Sequence, residues 1–335
     1  MEGIKFNQIG VSFKGSGSFV PDQILTNQKI SQKVDTSDEW IKSRTGISER
    51  RISGVGENVS EMSFKAALAA IEMASWDIET IDLIVLATST PNDLFGSAPS
   101  VQAKLGAHNA VAFDLTAACS GFLFALITAS QFIKLGSYKR ALVIGSDQLS
   151  SYVDWNDRRS CILFGDGAGA IAIEATNKSD NFFGFDMRTD GDRGCFLNLP
   201  LKDNVDSIID DINFLKGGFY PIQMNGQEVY KFAVREVPII LKKLFKKTNF
   251  SPEEVDWLVL HQANQRILDS VGDRLKIPKE KILSNLANYG NTSAGTIPLM
   301  IDEAIRNNKI KQNDIIAMSG FGAGLSWGAA LIKWG

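Results

Sequence analysis

Ile81-Asp82-Leu83-Ile84-Val85-Leu86 returns, with its aspartate in the same place, as Val255-Asp256-Trp257-Leu258-Val259-Leu260. Each is a short hydrophobic run that reads as a strand. At nearly equal distances downstream of the shared aspartates stand Cys119 and Asn291, each followed by a helical stretch. A further strand then follows in each case, Arg140-Ala-Leu-Val-Ile-Gly145 in one and Asp314-Ile-Ile-Ala-Met-Ser-Gly320 in the other. Strand-like runs at 84–87, 111–115, 141–145 and 162–173 alternate with helical stretches, which is the α/β signature. Two related halves are expected, 1–175 with the cysteine and 176–335 with a histidine and the asparagine, so that Cys119 and Asn291 occupy equivalent strand-to-helix corners facing a shared central layer. The polar stretch around 175–225, with Gly217-Gly218, reads as loops or a cap and not as a separate domain.

The 335 residues are 44% hydrophobic, enough for a large core, and the net charge of −3 gives no global attraction to nucleic acid or to anionic membrane. Three widely spaced cysteines, Cys119, Cys161 and Cys195, contain no CxxC pair, which argues against structural zinc or a disulfide framework and for a reducing compartment. The first eight residues lack a charged and then apolar leader, and no apolar run reaches the ~18–20 residues of a membrane span. A cytoplasmic location is expected, or an organelle after processing.

Three separated stretches read as parts of one reaction centre. Cys119, in Asp-Leu-Thr-Ala-Ala-Cys-Ser-Gly-Phe, precedes a helix apolar on nearly all sides. Free N–H groups and the positive dipole end at a helix N-terminus favour a thiolate, so a lowered thiol pKa is expected. His261, in Leu-Val-Leu-His-Gln-Ala-Asn, ends a hydrophobic strand, at a sheet edge where α/β sites form. Asn291 lies in the Gly-rich turn Asn-Tyr-Gly-Asn-Thr-Ser-Ala-Gly. Each has a plainer reading alone: a small core residue, a satisfied imidazole, a turn asparagine. The other histidine, His108, sits in a loop-like setting, and Cys161 and Cys195 read as structural. Phe164-Gly-Asp-Gly-Ala-Gly runs into a strand and not a helix, so it reads as close backbone packing between strands and not as a dinucleotide site. Gly320-Phe-Gly-Ala-Gly-Leu lies at a strand exit and could aim a backbone N–H at an oxyanion.

Thr36-Ser-Asp-Glu39 is a capping-box pattern, opening a short helix with Trp40 and Arg44 on one face; an aromatic plane beside a guanidinium suits a base and a phosphate, or is simply a core Trp with a solvated Arg. Residues 231–247 carry six basic residues against one acid in an amphipathic pattern that Pro238 kinks or interrupts. With Arg266 and Arg274 beyond His261, this could be a basic rim or an ordinary solvated helix face.

Taken together and in this order, Asp-Glu-Trp-Ile-x-x-Arg-Thr-Gly-Ile, Ala-Ala-Cys-Ser-Gly-Phe, Phe-Gly-Asp-Gly-Ala-Gly-Ala, His-Gln-Ala-Asn and Asn-Tyr-Gly-Asn-Thr-Ser resemble β-ketoacyl-acyl-carrier-protein synthase III over essentially the full length. The Phe-Gly-Ala-Gly-Leu ending is similar to the cyanobacterial and plastid branch. The resemblance implies a thiolase fold of five α-β-α-β-α layers from two duplicated halves, acting as a homodimer. It also implies the reaction that starts type II fatty acid synthesis. Acetyl-CoA acylates the cysteine, and malonyl-acyl-carrier protein loses CO2 and condenses to acetoacetyl-acyl-carrier protein, without a cofactor or metal.

By the same resemblance Cys119 is the nucleophile, and His261 and Asn291 hold the malonyl carbonyl and its enolate. The backbone N–H groups of Cys119 and Ala323 form the oxyanion hole. Trp40, Arg44 and Arg158 grip CoA, Asn264 contacts pantetheine, and Phe95 reaches the partner subunit's acyl pocket. Lys231 and Arg266, with Arg274 nearby, match carrier-docking positions. Arg159 is a departure, standing where glycine is frequent. The alternatives are a specialised ketosynthase or acyltransferase with another starter acyl-CoA, and a non-catalytic binding module for acyl-CoA or carrier protein, which would not need the three site residues together.

Overall fold

The structure, a computed structural model, describes residues 9–335, so the expectation about the first eight residues lies outside it. Two five-stranded sheets carry the fold. The first runs Gly10–Phe19, Asp166–Thr176, Arg140–Gln148, Leu83–Ala87, Val111–Leu115, and the second Phe182–Thr189, Ser326–Lys333, Ile315–Gly322, Trp257–Leu260, Ile282–Leu283. In that order both have the same sense: the first two pairings are antiparallel and the last two parallel.

The repeated aspartates explain the echo in the sequence. Asp82 accepts the backbone N–H groups of Lys139 and Arg140, where the neighbouring strand begins, and Asp256 accepts that of Ile315. Each pins the start of the strand beside its own.

Between the sheets lie the helices Gly121–Lys134 and Thr296–Arg306, in a core with Val85, Val143, Met318 and Ala330. Phe122, Leu123, Leu126 and Ile127 are all at most 1% exposed, and burial of each such side chain contributes roughly 1.5–3 kcal/mol. Outside the first sheet lie Val59–Ala74 and Ala98–Leu105; outside the second, Gly226–Thr248 and Gln265–Leu275. The result is the five-layered α-β-α-β-α arrangement of a thiolase-like fold.

The two corners cross over. A Cβ on Gly145 of the first sheet would lie 2.2 Å from the Ala294 carbonyl oxygen, and one on Gly322 of the second would lie 2.7 Å from the Cys119 nitrogen. Each glycine lets the corner of the other half rest on its strand. Ala118 and Ser293 both take left-handed φ, 48° and 52°, just before these contacts. The structural counterpart of Cys119 is therefore Ala294 and not Asn291, which lies earlier in its turn.

Other local expectations shift. The strand expected from residue 162 begins at Asp166, because residues 162–165 turn to pair with the second corner: Asn291 N–H donates to Leu163 O at 2.9 Å and Gly165 N–H to Asn291 O at 3.0 Å. The glycines that follow pack on helix as well as strand, a Cβ on Gly169 meeting Leu299 N at 2.5 Å. The 38–45 helix is capped by Ser37 and not Thr36. Pro238 lies inside an unbroken helix, Gly226–Thr248, whose remaining packing offsets the missing hydrogen bond. The 190–225 region forms short strands and a hairpin, Val205–Ile209 with Ile212–Leu215, that is exposed throughout.

Arg50 ties the segments around the second corner together. Fully buried, it donates to Leu25 O, Asn27 Oδ1 and Ile162 O at 3.1, 2.8 and 2.6 Å, and burial draws its pKa down to about 10. Arg50→Met removes three buried side-chain donations and is expected to cost about 3 kcal/mol in urea unfolding. An unchanged midpoint would show that these segments hold without the clamp.

Candidate active site

Cys119 opens the central helix through a single 3-10 turn, Ala118–Ser120, and lines a chamber of about 620 Å³ that reaches the surface beside Trp40 and Arg44. His261 and Asn291 line the same chamber, so three stretches from two sheets converge. Behind the thiol lies a second, apolar cavity of about 190 Å³, with Leu149, Leu197 and Ile222 in its wall and Ala323 beside the cysteine.

The environment of the thiol reverses one expectation. Burial pushes it up to about 12, although Ser293 Oγ, 3.4 Å from the sulfur, and Asn291 oppose the rise. The nearby Asp147 carboxylate adds to it. The helix start does not yield a resting thiolate, because removing the sulfur from water outweighs the dipole. Burial also draws the His261 pKa down to about 3, so the ring is neutral at pH 7. Its Nδ1 lies 2.7 Å from Thr296 Oγ1, and Phe321 stands edge-on to it, centroids 5.1 Å apart. Asn291 Oδ1 accepts the Ser293 N–H at 2.8 Å, which turns its NH2 group toward the chamber.

Asp147 backs the site. Fully buried, it accepts from Thr88 Oγ1, Ser89 N, Thr90 Oγ1 and Ala294 N at 3.1, 2.7, 2.9 and 3.1 Å. Burial raises its pKa against those donors. Sequence reasoning missed Asp147, Thr296 and Phe321. Thr296 follows the quoted turn at short range, whereas nothing local to Asp147 marks its distant partners.

At the mouth, Asn264 caps the Gln265–Leu275 helix, accepting from Arg266 N at 2.9 Å and donating to Arg44 O at 3.0 Å. Trp40 pairs with Arg158, whose guanidinium lies 5.3 Å from the ring centroid, and not with Arg44. Arg158 itself lies outside the chamber, in an adjoining cleft, bonded to Asp35 O at 2.8 Å. Arg159 lines both spaces and holds Asp157 through Nε at 2.9 Å. Arg266 lines the mouth over Tyr230, and Lys231 pairs with Glu228 nearby at 2.7 Å. Arg274, in the last turn of the same helix, is not brought to the chamber. Nor is Phe95, which is 96% exposed beside Leu94 in a groove with Leu199 and Phe219.

Comparison with known proteins agrees with this geometry. Family models described as 3-Oxoacyl-[acyl-carrier-protein (ACP)] synthase III and its C-terminal part match residues 113–191 and 245–334. A Beta-ketoacyl-[acyl-carrier-protein] synthase III of Prochlorococcus marinus (strain MIT 9312) is 85% identical over 335 residues, 100% of both chains. The 3-oxoacyl-[acyl-carrier-protein] synthase III of Aquifex aeolicus VF5 superposes with a TM-score of 0.89 at 41% identity, covering 97% of this chain and 100% of its own. A priming beta-ketosynthase from the R1128 polyketide biosynthetic pathway does so at 0.89 and 29% identity, covering 99% and 98%. With Cys119, His261 and Asn291 gathered in one buried chamber on this scaffold, the chain belongs to the β-ketoacyl-acyl-carrier-protein synthase III family.

Proposed function

We propose that the protein condenses acetyl-CoA with malonyl-acyl-carrier protein through an acyl-Cys119 intermediate, releasing CoA and CO2. The observation that carries this reading is the meeting of a thiol, a neutral imidazole and an oriented amide in one chamber, with all three residues buried. Such a set has a nucleophile and two donors and no carboxylate in contact with the reacting carbonyl, which suits charge that develops on an enolate oxygen.

In the first half-reaction Cys119 attacks the acetyl carbonyl. With its pKa near 12 the thiol loses its proton as the new carbon–sulfur bond forms, and the proton ends on the departing CoA sulfur. In the second, the malonyl thioester carbonyl sits against His261 and Asn291 while the carboxylate leaves as CO2. The enolate carbon attacks the acetyl carbonyl, whose oxygen is held by the backbone N–H groups of Cys119 and Ala323. The cysteine leaves as thiolate and takes up one proton from solvent water, the proton that the loss of CO2 from a carboxylate consumes overall.

Trp40 and Arg158 bracket the adenine, Arg44 and Arg159 meet the phosphates, and Asn264 meets the pantetheine arm at the mouth. The acidic carrier protein docks on the rim formed by Lys231 and Arg266, with Arg274 contributing only long-range charge. Two copies associate through the unpaired edge of the Val111–Leu115 strand, placing the exposed Phe95 in the partner's acyl pocket. The three free cysteines are compatible with a reducing cytosol, and no helix among the described residues is long and apolar enough to cross a membrane.

Incubation with acetyl-CoA is expected to add one acetyl group per chain by intact mass. Cys119→Ala abolishes the adduct, and Cys161→Ala and Cys195→Ala retain it. Acetylation of the Cys119→Ala protein would overturn the assignment. Without substrate, Cys119 alkylation by iodoacetamide, followed by peptide mass, should keep rising with pH beyond 9, since the raised pKa leaves the thiol protonated below about 12. A plateau near neutrality would mean a resting thiolate. His261→Ala and Asn291→Ala should lose malonyl decarboxylation by about 10²-fold or more, with acylation less affected; equal loss of both steps would make His261 a base for the thiol. Arg266→Glu should raise the KM for malonyl-acyl-carrier protein and flatten its salt dependence, leaving acetyl-CoA acylation nearly unchanged. An unchanged KM places docking elsewhere.

A further inference from the structure

Only one nitrogen of His261 is free to meet substrate, and the group that determines whether it carries a proton lies behind the ring. Nδ1 is 2.7 Å from Thr296 Oγ1, and the two residues are 1% and 2% exposed. The same hydroxyl is 2.9 Å from the Ser293 carbonyl oxygen. A hydroxyl has one proton to give. If it goes to the carbonyl, Nδ1 must supply its own hydrogen and Nε2 is left bare; if it goes to Nδ1, the ring proton sits on Nε2.

Two features favour the second arrangement. The Ser293 carbonyl already receives the backbone N–H of Thr296, so it is satisfied without the hydroxyl. Nδ1, among the described residues, has Thr296 as its one hydrogen-bond partner, and this is the shorter of the two contacts. An imidazole nitrogen is also the more basic acceptor. Phe321, edge-on at 77° to the ring, hinders the turn that would exchange the nitrogens.

We infer that Thr296 is a positioning residue which donates its hydroxyl proton to Nδ1 of His261 and so keeps an N–H on Nε2, aimed into the chamber beside the Asn291 amide. The inference rests on the reading of His261 as a donor to the enolate. A neutral ring can present that donor only in this tautomer, and a shell residue with no substrate contact then decides whether the pair of donors is complete.

Because the chain has only two histidines, His108 and His261, the tautomer can be read directly. Protein labelled with 15N-histidine, free of substrate, should give the Nε2–H pattern for His261 in long-range nitrogen–proton correlation spectra at pH 7. Thr296→Ser should retain it. Thr296→Val, which keeps the shape and loses the hydroxyl, should shift the ring toward a mixture of tautomers. Malonyl decarboxylation should fall by about 10²-fold and be restored by Ser, with cysteine acylation changing by less than about tenfold. An Nδ1–H pattern in the unmodified protein overturns the proposal whether or not the Val variant folds. So does a Val variant with an unaltered pattern. Should the pattern respond as expected while decarboxylation does not, the tautomer assignment stands and it is the donor role of His261 that fails.

Discussion

The site depends on one buried carboxylate. Asp147, at the end of a first-sheet strand, accepts from the 88–90 loop of its own half and from Ala294 in the corner of the other half. That corner carries Asn291, Ser293 and Thr296, and through Thr296 it reaches His261. A single side chain thus ties the donor corner to the 88–90 loop of the half that carries the cysteine. Four donors satisfy it, and an anion of this kind persists in an interior only when it is so satisfied. The crossing of Gly145 and Gly322 under opposite corners does the same work by shape. Sheets that were merely stacked would leave the thiol and the amide free to drift, and a drift of an ångström is costly in catalysis.

Burial acts on both titratable groups of the candidate site in one direction, toward the neutral form. It raises the thiol, lowers the imidazole, and so leaves the chamber without net charge on its working side chains. For acylation this is a handicap, since the thiolate is scarce. For the proposed decarboxylation it is an advantage: neutral donors at a buried position stabilise a developing enolate far better than they would in water. On the proposed mechanism the arrangement favours the second half-reaction over the first. Asp147, which makes the thiol harder to ionise, belongs to the same compromise.

Much of this was legible in the chain. The recurring Asp82 and Asp256 runs gave the repeat because each aspartate has a strictly local task, receiving the N–H groups of an adjacent strand. Cys119, His261 and Asn291 stood out because each sits where an element ends and a side chain is exposed to a shared space. What was not legible involves contacts between segments far apart. The pairing of Trp40 with Arg158 joins residues with no common element, so the pattern of one helix pointed to Arg44 instead. The thiol pKa depends on how deeply the corner is buried, which the start of a helix does not reveal. The equivalence of Cys119 with Ala294 follows from backbone conformation, φ 48° at Ala118 and 52° at Ser293, and counting residues from the aspartates misses it slightly.

The central claim is that the acyl group held on Cys119 becomes the far end of the condensation product. A pulse–chase tests it most directly. Enzyme acetylated with 13C-acetyl-CoA, freed of excess reagent and mixed with unlabelled malonyl-acyl-carrier protein, is followed by mass spectrometry of both the Cys119 peptide and the carrier protein. The account predicts that the label leaves Cys119 as it appears, in equal amount, in a four-carbon acyl group on the carrier. Label that stays on Cys119 while product forms, or that leaves only as free acetate, would contradict it.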